Sequence, residues 1–397
     1  MSIPDEMKHP ERRGLVIEVD HRGGLKHADI NNAQNWAVVL QFLSDGKLSY
    51  GSGFFLNFPE VSDLLILTAA HNLISPTNQD SEQLRVYLAD GTSLDILGSW
   101  VCPRYRGPRE DVDDYGAILV QRDPKVPAKS GFGFNMKLGQ LERLPGNIFV
   151  TGYRAQGQTQ RTPTTSTGPF VACHDGLQIE YRVKTEQGIS GSAVWLDYDG
   201  FPTVVAIHNH GPAYVGGGSR GSLLSPTLFR EIFRWLDVGQ YGKKLCVQDS
   251  RSNPQPGTEP PKAGLYLYFP DDWPFARVRL GFGTAFDVLP VQVAAGSDKV
   301  RYALAVGEKW VLFNLTTKLA VLSDKLMDPC LFTKDEKKKK KEMRIVLEHP
   351  TTKKAFQLRL EGDMISEFDG DDAESSEVSM VPHPQDNLDR FTTFAFV

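Results

Sequence analysis

The sequence predicts an all-β protein built from two successive β-rich domains. Three observations carry this. Short apolar runs recur along the first 242 residues, separated by Gly, Pro, Asn and Asp. One helical pattern closes that series, at Ser225–Leu236. A proline-rich stretch at 249–262 then divides it from a second set of β-like runs. Strands at this spacing, with turn chemistry between them, form a barrel or a sandwich.

The apolar runs of the first series are WAVVLQFL (36–43), GSGFFLNF (51–58), LLILTAA (64–70), YGAILVQ (115–121), NIFVTGY (147–153), GSAVWLD (191–197) and TVVAIHN (203–209). Their β-branched and aromatic content suits a pleated, half-buried surface. The exception is LFREIFRWL, with apolar residues at 228, 229, 232, 235 and 236. Ser225 before it is an N-cap residue and Pro226 sits at the first helical position, so a short helix is expected there. Residues 249–262 contain four prolines and little apolar content, the composition of a linker. Beyond it, LYLYF, ARVRLGF, YALAV, WVLFNL, MRIVLE and AFQLRL predict more strands. The expected organisation is an N-terminal extension (1–33), a first domain (34–248), the linker (249–262), a β-rich domain (263–361) and an acidic, partly disordered tail (362–397). The tail begins with eight acidic residues in 361–377.

A chain of 397 residues is long enough for more than one sizeable core. Its net charge of −5 gives no global attraction to nucleic acid. The run Leu64–Ala70 is too short to span a bilayer. The opening residues MSIPDEMKHPERRG lack the apolar centre of a secretory signal, which predicts a cytoplasmic protein. The four cysteines (Cys102, Cys173, Cys246, Cys330) are far apart and lack metal-ligand spacing, so free thiols are expected. No cofactor and no metal are expected. Lys337–Lys341 reads as a solvated loop.

Three segments carry chemistry. Thr68-Ala69-Ala70-His71 ends an apolar strand. Asp113-Asp114-Tyr115-Gly116-Ala117-Ile118-Leu119 leads an acid into another. Gly188-Ile189-Ser190-Gly191-Ser192 sets a serine between glycines. A serine hydroxyl is a weak nucleophile at neutral pH. It needs a neutral imidazole to take its proton and a carboxylate to hold that imidazole in one tautomer. Glycine two positions earlier lets the backbone turn so that N–H groups converge on a developing oxyanion. From the residues alone, Asp113 competes with Asp114, and Ser192 with Ser190.

TAAHNL, DYGAILV and GISGSAVW resemble, in order, the three signatures of the chymotrypsin-like serine proteases. The resemblance spans about residues 34–242 and implies two packed six-stranded β-barrels with the site between them. It implies His71 as general base, Asp114 as its orienting acid and Ser190 as nucleophile, with the N–H groups of Gly188 and Ser190 as oxyanion hole. Asp114 is favoured because the family places its acid directly before the bulky residue opening the strand, here Tyr115. Ser190 is favoured because only it has glycine two before and one after.

TEQGISGSAVW followed by VVAIHNHG is further similar to the glutamyl endopeptidase subgroup. That similarity implies a specificity pocket lined by Thr185 and His208, which could hydrogen-bond a carboxylate without a permanent charge. His208 could instead simply pack on its strand, His210 reads as a rim residue, and the direction of Lys184 stays open. Ile189 stands where zymogen-type members carry aspartate, so their usual activation switch is not expected. The implied function is a serine endopeptidase acting on proteins or peptides, preferring Glu or Asp before the cut. The alternatives are a catalytically idle scaffold on the same fold and a serine esterase. The second β domain shows no catalytic constellation and is a candidate for partner recruitment.

Overall fold

The structure is a computed structural model. It describes residues 32–126, 130–144, 146–154, 162–212, 217–238, 240–248, 265–269, 277–280, 285–314, 319–327, 330–336, 343–348, 355–360, 376–382 and 393–396. The proline-rich linker and Lys337–Lys341 lie outside these residues, as do nearly all of the N-terminal extension and much of the acidic tail. The chain divides into two compact units, Met1–Val238 with Gln292–Lys299, and Gly239–Val291 with Val300–Val397.

The first unit holds the double β-barrel. Its first sheet comprises β1 (Ala37–Ser44), β2 (Lys47–Leu56), β3 (Leu64–Thr68), β4 (Glu82–Tyr87), β5 (Ser93–Leu94), β6 (Ile96–Val101) and β7 (Gly116–Val120). They are ordered β5-β4-β1-β2-β3-β7-β6. The end strands β5 and β6 are separated in sequence by Asp95 alone, so the sheet must curl until its ends meet. Inside it pack Val38, Leu40, Phe55, Ile66, Val86 and Ile118, which alternate with outward residues as a strand's period of two requires.

After the short strand β8 (Gly133–Asn135), the second barrel is made by β9 (Asn147–Gly152), β10 (Thr164–His174), β11 (Gln178–Tyr181), β12 (Ala193–Tyr198), β13 (Phe201–His210) and β14 (Ser219–Leu223). Strand β8 pairs in parallel with β13. The antiparallel pairings β9-β10, β10-β11, β11-β14, β14-β13, β13-β12 and β12-β9 close a ring of six strands. Closure leaves no exposed sheet edge. Its core includes Ile148, Val150, Ile179, Val194, Leu196 and Val205. Phe132 joins the barrels, with edge contacts to Trp36 (5.2 Å) and Phe54 (5.7 Å) and a tilted contact to Trp195 (5.8 Å). Such ring pairs contribute beyond their buried area.

The expected helix is α1 (Pro226–Trp235). The Ser225 hydroxyl accepts the Leu228 N–H and Pro226 opens the first turn. Its apolar stripe seats Phe229 against Phe134 (4.8 Å) and Phe233 against Phe58 (5.0 Å). The helix therefore closes the unit from a face the strands leave apolar.

The second unit contains the antiparallel strands from Gln240–Gln248 to Thr393–Phe396. Phe286, Val288, Leu304, Trp310 and Phe332 are buried within it. Ser376–Pro382 and Thr393–Phe396 are strands in the segment expected to be a partly disordered tail. Among the described residues, no helix is long and apolar enough to cross a membrane, and no group of three or more His, Cys, Asp or Glu could hold a metal ion.

Candidate active site

The site is built at strand ends and turns of the first unit. Strand β3 stops at Thr68, and Ala70–Asn72 form a single 3-10 turn that lifts His71 off the sheet. The acid segment enters through a second 3-10 turn, Asp111–Asp113, directly before Asp114. Asp114 is fully buried. Its Oδ1 accepts the His71 backbone N–H at 2.9 Å, and its Oδ2 lies 2.7 Å from His71 Nδ1. One carboxylate thus fixes both the backbone and the ring of His71. Asp113, the competing acid, faces elsewhere: Arg104 Nε donates to its Oδ1 at 2.9 Å.

Burial works against charge at both partners. For His71, desolvation lowers the pKa, but the charge and hydrogen bond of Asp114 and the charge of Asp111 outweigh it and raise the value above ordinary histidine. Desolvation would raise Asp114. The charge of His71, the hydrogen bonds from it and the charge of His210 instead hold it below the usual carboxylate range.

Ser190 sits on a turn between two glycines with positive φ, Gly188 at 93° and Gly191 at 88°. A Cβ at Gly191 would lie 2.1 Å from the Ser52 carbonyl oxygen, so the position requires glycine on two counts. The turn is anchored to the first barrel. The Ser190 carbonyl accepts the Ser52 N–H (2.8 Å) and the Asn72 carboxamide (3.0 Å), and the Gly188 carbonyl accepts the Ser52 hydroxyl (2.9 Å). Among the described residues, the N–H groups of Gly188 and Ser190 meet no acceptor. Ser192, the competing serine, has no exposed surface. The Ser190 hydroxyl donates to the Asn209 carbonyl at 3.3 Å, and among the described residues it makes no hydrogen bond to His71.

The expected pocket residues lie beside this turn. An added Cβ at Gly211 would stand 3.6 Å from Thr185 Oγ1, so the end of β13 and the segment before Ser190 face each other. The Thr185 hydroxyl is 3.1 Å from that of Ser219, which donates to the Val183 carbonyl at 2.9 Å. His208 is buried, with Nδ1 2.5 Å from the Tyr181 hydroxyl. Burial, then the charges of His210 and His71, push the His208 pKa down to about 3, so this imidazole is neutral at physiological pH. Lys184 is exposed.

Sequence reasoning missed Ser52, Asn72, Asn209 and Ser219. Asn72 and Asn209 adjoin His71 and His208, and a polar residue inside an apolar strand such as β13 was the available signal. Ser52 and Ser219 gave none, because their roles come from strands distant in sequence.

No family model and no curated protein matches the chain. Solved structures do. A thermostable serine protease, AL20, from an extremophilic microorganism is 10% identical with a TM-score of 0.42, over 52% of this chain and 98% of its own. A Glu endopeptidase bound to MPD is 21% identical with a TM-score of 0.41, over 51% of this chain and 90% of its own. An inactivated protease paralogue of the scabies mite, S-I1, is 16% identical with a TM-score of 0.41, over 54% of this chain and all of its own. Likenesses this distant leave activity to be argued from the residues of this chain.

Proposed function

We propose that the protein is a serine endopeptidase with His71, Asp114 and Ser190 as its triad. The observation that carries this is the double hold of Asp114 on His71, at the backbone N–H and at Nδ1. That arrangement leaves Nε2 as the ring's proton acceptor. Nε2 would take the Ser190 proton as Oγ bonds to the substrate carbonyl carbon. The oxyanion would be met by the N–H groups of Gly188 and Ser190. Proton return to the amide nitrogen breaks the C–N bond and leaves an ester on Ser190. Water, deprotonated by the same imidazole, then releases the acid and restores the hydroxyl. Serine–histidine hydrogen bonds are commonly loose before substrate binds, so the contact of Ser190 with Asn209 is compatible with this chemistry.

The substrate side chain favoured before the cut is Glu, with Asp second. If the Tyr181 hydroxyl donates to His208 Nδ1, that ring presents Nε2–H as a neutral donor. Thr185 adds a hydroxyl, seated against that of Ser219. Neutral donors recognise a carboxylate without a cation that must be buried when the pocket is empty.

An idle protease-fold scaffold is the second reading, favoured by the Ser190 hydroxyl lying on Asn209. A fluorophosphonate probe separates the two. The parent should be labelled and Ser190→Ala should not, with peptide cleavage falling on the order of 10⁶-fold in kcat. A folded parent that neither labels nor cleaves would establish the scaffold. Labelling without cleavage of any peptide, alongside turnover of simple esters, would establish an esterase.

A further inference from the structure

Strand β13 delivers two histidines to different places. His208 and His210 are two apart and would share one face of a regular strand. The register against β14 shifts between them, with His208 opposite Gly221 and His210 opposite Arg220. Such a bulge re-aims side chains, and bulges concentrate beside active sites. Here His208 turns inward to Tyr181, whereas His210 reaches back over His71. The two rings stack at 5.8 Å with planes 25° apart. His210 Nε2 lies 3.2 Å from Asp111 Oδ1 and 3.6 Å from Asp114 Oδ2, the same oxygen that holds His71 Nδ1.

The backbone around His210 is fixed. Its neighbour Asn209 donates to the carbonyls of Asp114 (2.8 Å) and Asp111 (3.1 Å) and accepts the Ser222 N–H (2.9 Å) on its own oxygen. The other charged and titratable groups around the ring are accounted for. Arg220, across on β14, is engaged by Glu180 at 3.7 Å. His208 is neutral. Tyr105, in the 3-10 turn Pro103–Arg106, is buried with Arg109 over its ring at 5.5 Å. Asp111 and Asp114 supply the negative charge, and among the described residues His71 is the one other imidazole against Asp114.

We infer that His210 is a positioning residue for the proposed reaction: a second imidazole on Asp114 that restrains His71 from holding a proton. This rests on the protease reading for its catalytic consequence, not for its electrostatics. Two imidazoles sharing one carboxylate cannot titrate independently. Asp114 and Asp111 both answer the cations, but two charged rings stacked at 5.8 Å still repel each other. Removing His210 should therefore let His71 keep its proton to higher pH, and the base would be lost earlier on acidification.

The test is NMR of the full chain with labelled imidazoles, the two rings being assigned with His71→Gln and His210→Gln. In the parent, the His71 and His210 curves should each show an inflection at the other's midpoint. In His210→Gln, the His71 midpoint should rise by about half a pH unit or more, a like-charge effect reduced by solvent at a partly exposed ring. The acid limb of fluorophosphonate labelling should move upward with it. An unmoved His71 midpoint, or independent single-site curves in the parent, overturns the inference even if the protein cleaves peptides. Coupled curves in a protein that neither labels nor cleaves would uphold the coupling and overturn the protease reading. Should His210→Gln fail to fold, the parent curves decide alone.

Discussion

The Asn209 carboxamide donates to the backbone carbonyl of Asp114 at 2.8 Å. Asn209 belongs to the second barrel and Asp114 to the entry of a first-barrel strand, so this bond fixes the segment of Asp114 against strand β13. The same carboxamide also meets the Asp111 carbonyl and the Ser222 hydroxyl.

Asn209→Ala should therefore destabilise the protein by about 1–3 kcal/mol, because the Asp114 carbonyl loses its shorter donor and the buried Ser222 N–H loses its acceptor. Chemical denaturation would show a lower midpoint at unchanged slope. Labelling of Ser190 should fall more than the lost stability explains, since Asp111 and Asp114 lose a common anchor. Wild-type labelling with reduced stability would make Asn209 structural only.

Activity should fall on acidification with a midpoint above the ordinary histidine value of about 6.5. The sign follows from the raised pKa of His71: the neutral base is required, and Asp114 helps it keep a proton to higher pH. Asp114→Asn removes that charge, so the remaining activity should be far lower and its acid limb should shift downward. Rate profiles of probe labelling between about pH 5 and 9 would check both.

The same pair links stability to pH in two directions. Asp114 is held below its unfolded value, so its contribution is present above that unfolded value and is lost as pH falls through the folded one. His71 is raised, so its contribution is complete below the unfolded histidine value and is lost as pH rises through the folded one. Parent minus Asp114→Asn stability, measured by denaturation across pH, should peak between the two. A difference independent of pH would contradict the ion pair.

Gly191→Ala should prevent the Ser190 turn from forming. The added methyl meets the Ser52 carbonyl at 2.1 Å and the Thr68 hydroxyl at 2.3 Å, both held in the first barrel, at a φ of 88°. Poor soluble yield or a large drop in Tm is expected, with loss of probe labelling in any folded fraction. Gly176→Ala is the comparison: it has positive φ but nothing within 4 Å of an added Cβ. It should cost only about 1 kcal/mol of backbone strain.

Peptides with Glu before the cut should be cleaved faster than those with Gln, which keeps the shape and removes the charge. His208→Ala should erode that preference more than it slows a small ester substrate, because a pocket of unpaired donors discriminates strongly. Thr185→Val should do so to a lesser degree. Proteome-digest profiling with Phe, Leu or Arg before the cut and no enrichment of Glu would remove the glutamyl assignment. The proposed triad would be unaffected.

Periodicity and turn chemistry in the sequence determined the all-β class, most first-domain strand positions and the helix at Pro226–Trp235, because these are local signals. The order His71, Asp114, Ser190 was legible for a similar reason: each lies in a short segment whose neighbours must be small, apolar or glycine. What local signals could not supply is partnership across the barrels. Asp113 and Asp114 are equivalent as letters, and only the fold turns one to Arg104 and the other to His71. Ser190 and Ser192 both adjoin Gly191, and packing buries the second completely. His208 and His210 read as one alternating pair. A register shift, set by hydrogen bonds to β14, sends one inward to Tyr181 and the other toward the Asp114 carboxylate. That choice depends on contacts between segments far apart in the chain, so it belongs to the tertiary structure.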